Sequence, residues 1–147
     1  MTKIIVDNGF RDFNNFGVFG KRFQREGKKA NIEWMRAIQK RAVFGLTRNK
    51  SGKPKRAKKT LKGSKKHRPS VKGQYPAADT GILHRSIRIK SFSAFEGIVY
   101  TNVKYGKWLE QKKPERGGRP FLTRAAREKE PFGRLLVLEA LRKSARP

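Results

Sequence analysis

The sequence predicts an α+β fold: a long helix and C-terminal helices packed on a small antiparallel β-sheet, with a long basic loop inserted. Three observations predict it. Over 29–47 the apolar residues Ile32, Met35, Ile38, Ala42 and Leu46 recur every three or four positions, which stripes one side of a helix. Over 86–103 the pattern changes to period two around Ile87 and Ile89, then to the β-branched and aromatic run IVYTNV, with SAFEG between them. That combination reads as an antiparallel hairpin. Near the C-terminus Leu135, Leu136, Leu138 and Leu141 return to helical spacing.

Taken in order, KIIV at 3–6 reads as a short strand. Phe10, Phe13, Phe16, Phe19 and Phe23 follow at spacings of three and four. Gly17 and Gly20 fall inside that stripe, and each weakens a helix by about 1 kcal/mol relative to Ala. An irregular helix, or a turn and then a helix, is expected over 10–23, its aromatics serving the core or a subunit interface. The clear helix is 29–47, with Asn31 or a residue just upstream as its start.

Pro76 biases Tyr75 to extended backbone. Asp79-Thr80-Gly81 is a turn or capping signal, and Ile82-Leu83 opens a single helical turn. The strands are expected at 86–92 and 98–103, and Tyr105, Trp108 and Leu109 suggest a short helix. QKKPERGGR at 111–119 reads as a second flexible loop. A helix then starts near Pro120 and carries Phe121, Leu122, Ala125 and Ala126. Pro131 is expected to break or kink it. A last helix over 132–144 ends in Lys and Arg, which suit the negative end of its dipole.

Composition sets the function classes. The chain has 147 residues, 38 of them Lys or Arg against 11 Asp or Glu, for a net charge of +27. That length suits one domain, 1–147. There is no cysteine, which removes disulfides, thiolate nucleophiles and zinc–thiolate sites. No apolar run approaches the roughly 18 residues of a membrane span. The apolar start KIIV ends at Asp7, too short for a secretory leader. These features point to a cytoplasm, or a particle assembled in one.

The charge is uneven. Between Glu33 and Asp79 there is no acidic residue, and 48–72 holds 12 basic residues in 25. Leu61, Ala57 and Val71 are its main apolar interruptions. Such a stretch cannot bury enough surface to offset its ordering entropy, so 48–74 reads as a flexible Lys/Arg-rich loop. Lys53, Lys55, Arg56, Lys58, Lys59, Lys62, Lys65, Lys66 and Arg68 are the candidate contacts to DNA phosphates or to an acidic neighbour. The loop has no aromatic side chain, so base stacking is not indicated. Its plainer reading is a solubilising or assembly tail.

No catalytic, cofactor or metal constellation emerges. His67 and His84 sit among basic residues. His84 and Ser86 would share one face of a strand, but no acid is placed beside them. Asp7 and Asp12 alone do not make a metal site. Gly117-Gly118 lacks the lysine and hydroxyl of a phosphate loop. The chain is therefore expected not to be an enzyme and to need no cofactor.

Three segments in order carry a resemblance. Thr80, Gly81, Leu83, Ser86 and Ile87 form a Thr-Gly-x-Leu-x-x-Ser-Ile element; Asn102, Val103, Tyr105 and Glu110 follow; Arg119, Pro120, Phe121 and Leu122 then open a helix. This pattern resembles the neck or tail-completion proteins of tailed bacteriophages, the HK97 gene-product-10-like family. The resemblance implies an α+β structural protein of the virion, one copy in a homo-oligomeric ring, of six or twelve, around the DNA channel. Such a ring would meet head-side connector or adaptor proteins on one face and the tail tube or tail terminator on the other. The packaged double-stranded DNA would be a further partner, and no membrane is involved. Its location would be the virion neck, or the head-proximal end of the tail. The motif residues read as scaffold, with Phe121 and Leu122 packed against Ile87, Ile98 or Tyr100. The alternative that composition supports is an RNA-binding structural protein of a ribonucleoprotein such as the ribosome.

Overall fold

A computed structural model of the chain describes residues 2–7, 17–48, 70, 74–76 and 81–145. The elements are β1 (Thr2–Asp7), α1 (Gly17–Arg48), α2 (Ile82–Arg85), β2 (Arg88–Ser91), β3 (Glu96–Thr101), α3 (Lys104–Gln111), a 3-10 turn (Pro114–Arg116) and α4 (Leu122–Ala145). The fold is α+β, with α1 and α4 packed on a three-stranded antiparallel sheet of order β1-β3-β2.

Register explains which side of the sheet is buried. Ile4 of β1 and Ile89 of β2 both stand opposite Val99 of β3. Side chains alternate along a strand, so these three share one face. That face closes on Met35, Ile38, Ala42 and Leu46 of α1. Phe121, Leu122, Ile87 and Leu83 complete the same cluster. Ile87 thus shares one buried cluster with Phe121 and Leu122. Val99 is the member from β3, because Ile98 and Tyr100 fall on the opposite side of the pleat. Gln39 Nε2 donates to the Ile87 carbonyl at 2.8 Å and fixes α1 at the entry to β2.

A second cluster joins the far end of the helix pair. Phe23, Ala30, Phe95 and Ala140 are its buried members. The Phe23 and Phe95 rings lie 5.0 Å apart, and Phe19 stacks on Phe23 at 6.1 Å. These aromatics serve the core, as the spacing suggested. Phe10, Phe13 and Phe16 lie outside the described residues. The helices α1 and α4 run antiparallel: Arg41 pairs with Glu128, and the Trp34 ring occupies the space a Cβ on Gly133 would need.

Several expectations are corrected. The main helix begins at Gly17, not near Asn31, and Asn31 is fully buried in mid-helix. The glycine penalty is outweighed by packing: Gly20 and Gly27 are buried, and the Phe95 ring lies against Gly27 where a Cβ would stand. At the C-terminus one helix replaces two, because α4 runs through Pro131. Pro131 and Arg127 both lie on the exposed side, so the Arg127 carbonyl that loses its N–H partner can turn to water. Buried Ala125 and Ala140 on either side hold the two halves in line. The segment 111–119 is a hydrogen-bonded turn instead of a free loop. Arg116 N and Gly118 N donate to the Lys113 carbonyl, and Arg119 N donates to Leu109 O at 2.8 Å. Gly117 has φ +85°, which lets the chain reverse. Finally, β2 is shorter than expected, β3 keeps its expected length but lies earlier, at Glu96–Thr101, and His84 and Ser86 belong to α2 and its C-cap, not to a strand.

Candidate polyanion interface and the scaffold behind it

The nine cations from Lys53 to Arg68 that the sequence singles out lie outside the described residues. What is described is the chain on either side of them. Arg48 is the last residue of α1. Tyr75, only 5% exposed, packs its ring on Gly45 one turn earlier, where a Cβ would overlap it. Both ends of the basic segment are therefore held at the same end of α1. Ser70, inside the expected loop, is also buried.

Arginines surround this root. Arg41 pairs with Glu128, and Arg124 Nε reaches Glu128 Oε1 at 3.0 Å. The Tyr75 hydroxyl donates to Glu128 Oε2 at 3.3 Å. The guanidinium carbons of Arg41 and Arg124 lie 5.4 and 5.1 Å from the Tyr75 ring centre. Those of Arg48 and Arg41 lie 4.9 and 5.6 Å from the Phe44 ring. These distances are within cation–π reach.

The electrostatics follow from the packing. Burial pushes the Tyr75 hydroxyl up, with the Glu128 carboxylate adding to it, to about 12. Burial also works to raise Glu128, but hydrogen bonds from Arg41 and Arg124 outweigh it and hold the carboxyl below its ordinary value. The bond to Glu128 in turn raises Arg41. Three guanidiniums thus gather around one carboxylate and two aromatic rings at the root of a segment rich in Lys and Arg. Guanidiniums bind phosphate oxygens with forked, charge-assisted hydrogen bonds. Sequence reading missed Arg41, Phe44 and Arg124 as members of this group. Their positions in the chain carry no signal that links them to residue 75.

The residues of the three resembling segments fall into a separate, internal arrangement. Thr80 lies outside the described residues. Gly81 caps α2 at φ +77°, a conformation that favours glycine. Leu83 and Ile87 are core residues. Ser86 Oγ donates to Leu83 O at 2.7 Å and meets Thr101 Oγ1 at 2.5 Å. Because the Ser86 proton is used on Leu83, the Thr101 hydroxyl is the donor of the pair. Thr101 Oγ1 in turn accepts from Val103 N at 3.3 Å. The relay ties α2 to the end of β3.

Glu110 of α3 closes the start of α4. Its carboxylate accepts from the backbone N–H of Phe121 (2.9 Å), Leu122 (3.1 Å) and Thr123 (2.8 Å). These are N–H groups that a helix start leaves unpaired. Pro120 has no N–H to satisfy and precedes them, and Arg119 is held through its own backbone to Leu109. Gly106 brings α3 against the relay: a Cβ there would stand 3.1 Å from Thr101 Cγ2 and 3.3 Å from Leu83 Cδ1. Tyr105 differs from the others, being 46% exposed on the outside of α3 beside the more exposed Trp108. Lys112 Nζ lies 4.8 Å from the Trp108 ring.

Three acids elsewhere are taken up locally. Glu26, Glu130 and Glu139 pair with neighbours on their own helices. Among the described residues no group of three or more His, Cys, Asp or Glu is placed to hold a metal ion. Among them too, no helix is long and apolar enough to cross a membrane. No protein-family model, curated protein or solved structure matches the chain.

Proposed function

We propose that this chain is a structural virion protein of a phage neck, one copy of a ring that joins the DNA-filled head to the tail. The observation that carries the reading is the convergence of the three resembling segments. Gly81, Leu83, Ser86, Ile87, Glu110, Phe121 and Leu122 are spread along the sequence, yet they form one connected scaffold through the Thr101 relay and the Glu110 cap. Residues that build a fold in this way are the ones a family of that fold would keep in order. The role is assembly, not catalysis, with self, head-side connector and tail proteins as partners.

The basic segment and the arginines at its root serve as the phosphate-binding element, directed at DNA in the channel. Twelve basic residues in 48–72 joined to Arg41 and Arg124 give a sequence-independent, salt-sensitive surface. Deleting the gene from its parent genome and imaging the lysate by electron microscopy tests the neck role. Filled heads and finished tails lying apart are expected. Joined particles in the deletion lysate would sink the proposal. Co-sedimentation of the protein with ribosomes in place of particles would bring the ribonucleoprotein reading forward.

A further inference from the structure

Beside the helix pair runs a groove unrelated to the root of the basic segment. Lys29, Ile32, Glu33, Arg36, Ala37 and Lys40 line one wall at helical spacing, and Phe132 of α4 stands across from them, around about 600 Å³. From Phe132 the apolar surface continues outward along α4 through Leu135, 64% exposed, and Leu138, 51% exposed. An exposed row of large apolar side chains next to a groove marks an interaction surface.

The charges flanking it favour one kind of occupant. On α4, Arg134 pairs with Glu130 at 2.6 Å and Lys143 with Glu139 at 2.7 Å, so these two carboxylates are already taken by cations of their own helix. On α1, Lys29 is paired with Glu26 at 2.9 Å. Arg36 and Lys40 form no ion pair among the described residues, and Glu33 is the single carboxylate among the lining residues. The wall from Lys29 to Lys40 spans about 17 Å, roughly three helical turns. We propose that this groove docks an acidic amphipathic helix of another protein. Its apolar edge lies on Ile32, Ala37, Phe132 and Leu135, and its carboxylates lie on Arg36 and Lys40. A second copy fits this face poorly, because each copy carries +27 and brings the same two cations to the interface. The proposal rests on these residues and not on the neck role.

The test uses the full chain and three labelled synthetic peptides of about three to four helical turns. One has a leucine stripe flanked by Glu, one has the same stripe flanked by Lys, and one has the first composition in scrambled order. Fluorescence anisotropy should show the Glu-flanked peptide binding at least about tenfold tighter than the other two. Phe132→Ser with Leu135→Ser should abolish that binding. Arg36→Glu with Lys40→Glu should invert the preference toward the Lys-flanked peptide, with circular dichroism unchanged in each variant. Lys104→Glu with Lys107→Glu on α3 makes the same change in total charge and should leave the affinity within about twofold. Equal binding of the scrambled peptide, or an equal loss in the α3 variant, would reduce the effect to bulk attraction and overturn the proposal. A dimer of the unaltered chain that the Phe132/Leu135 variant dissociates would overturn it in favour of self-docking.

Discussion

Glu110 and Thr123 belong to different helices, yet the Glu110 Oε1 atom accepts the Thr123 backbone N–H at 2.8 Å. The other carboxylate oxygen takes Phe121 and Leu122. A cap of this kind does two things at once. It satisfies the first N–H groups of α4 and places a negative charge at the positive end of the helix dipole. It also fixes α3 to α4 across the turn at 112–121. Glu110→Ala should therefore destabilise the fold by about 2 kcal/mol, seen as a lower urea midpoint with the slope unchanged. Glu110→Gln keeps an acceptor without the charge and should lose less. Equal stability of all three proteins would refute the cap.

The relay through Ser86 and Thr101 should behave as a coupled pair. Thr101 is fully buried, and its proton goes to Ser86. Ser86→Ala leaves that donor unsatisfied and should cost about 1–3 kcal/mol. Thr101→Val with Ser86→Ala removes both ends, so the double variant should lose less than the sum of the singles. Strict additivity in chemical denaturation would show that the two hydroxyls do not interact.

Tyr75 gives the protein an alkaline limit. Its folded-state value is raised to about 12 from the ordinary 10.0, so the folded state favours the neutral phenol. That contribution is fully present below pH 10 and is lost as pH rises toward 12. Tyr75→Phe should flatten the fall in stability over this window, with phenolate absorbance following the titration. Glu128 gives the opposite limit. Its lowered value means a contribution present above 4.5 that disappears as pH falls further, and Glu128→Gln should remove that acid dependence.

Pro131 withholds an N–H from the interior of α4. Pro131→Ala restores the bond to the Arg127 carbonyl and should stabilise the protein by about 2 kcal/mol. A loss of stability would mean that the proline geometry itself is needed for α4 to follow α1.

The basic segment should set the salt dependence of DNA binding. Replacing Lys58, Lys59, Lys65 and Lys66 by Gln should lower the slope of log affinity against log salt by about 0.9 for each phosphate no longer neutralised. Arg124→Gln, at the root of the segment, should lower it further. An unchanged slope in the four-lysine variant would show that the segment does not bind the DNA backbone.

Much of the fold was legible in the sequence, where local chemistry and tertiary packing agree. The stripe Met35–Ile38–Ala42–Leu46 and the alternation around Ile87 and Ile89 each name their element and its buried side, because helical and extended backbones repeat with different periods. The resembling segments name the residues of the scaffold, Glu110 and Phe121 among them. They give no reason for those residues, and they do not single out the arginines around Tyr75.

By itself the sequence determined the element types, the concentration of cations between Arg48 and Lys72, and the absence of thiol chemistry, since each depends on composition or local spacing alone. Tertiary structure decided the rest. It placed β1 beside β3, with Ile4 against Val99, a pairing of residues nearly a hundred apart that no local pattern encodes. It extended α1 back across Gly20 and Gly27, where burial outweighs weak helix propensity and Phe95 fills the space that the missing Gly27 side chain leaves. It carried α4 through Pro131, because packing on α1 on both sides outweighs one lost hydrogen bond. It also brought Arg41, Tyr75, Arg124 and Glu128 together, because only the antiparallel packing of α1 on α4 sets residue 41 beside residue 128.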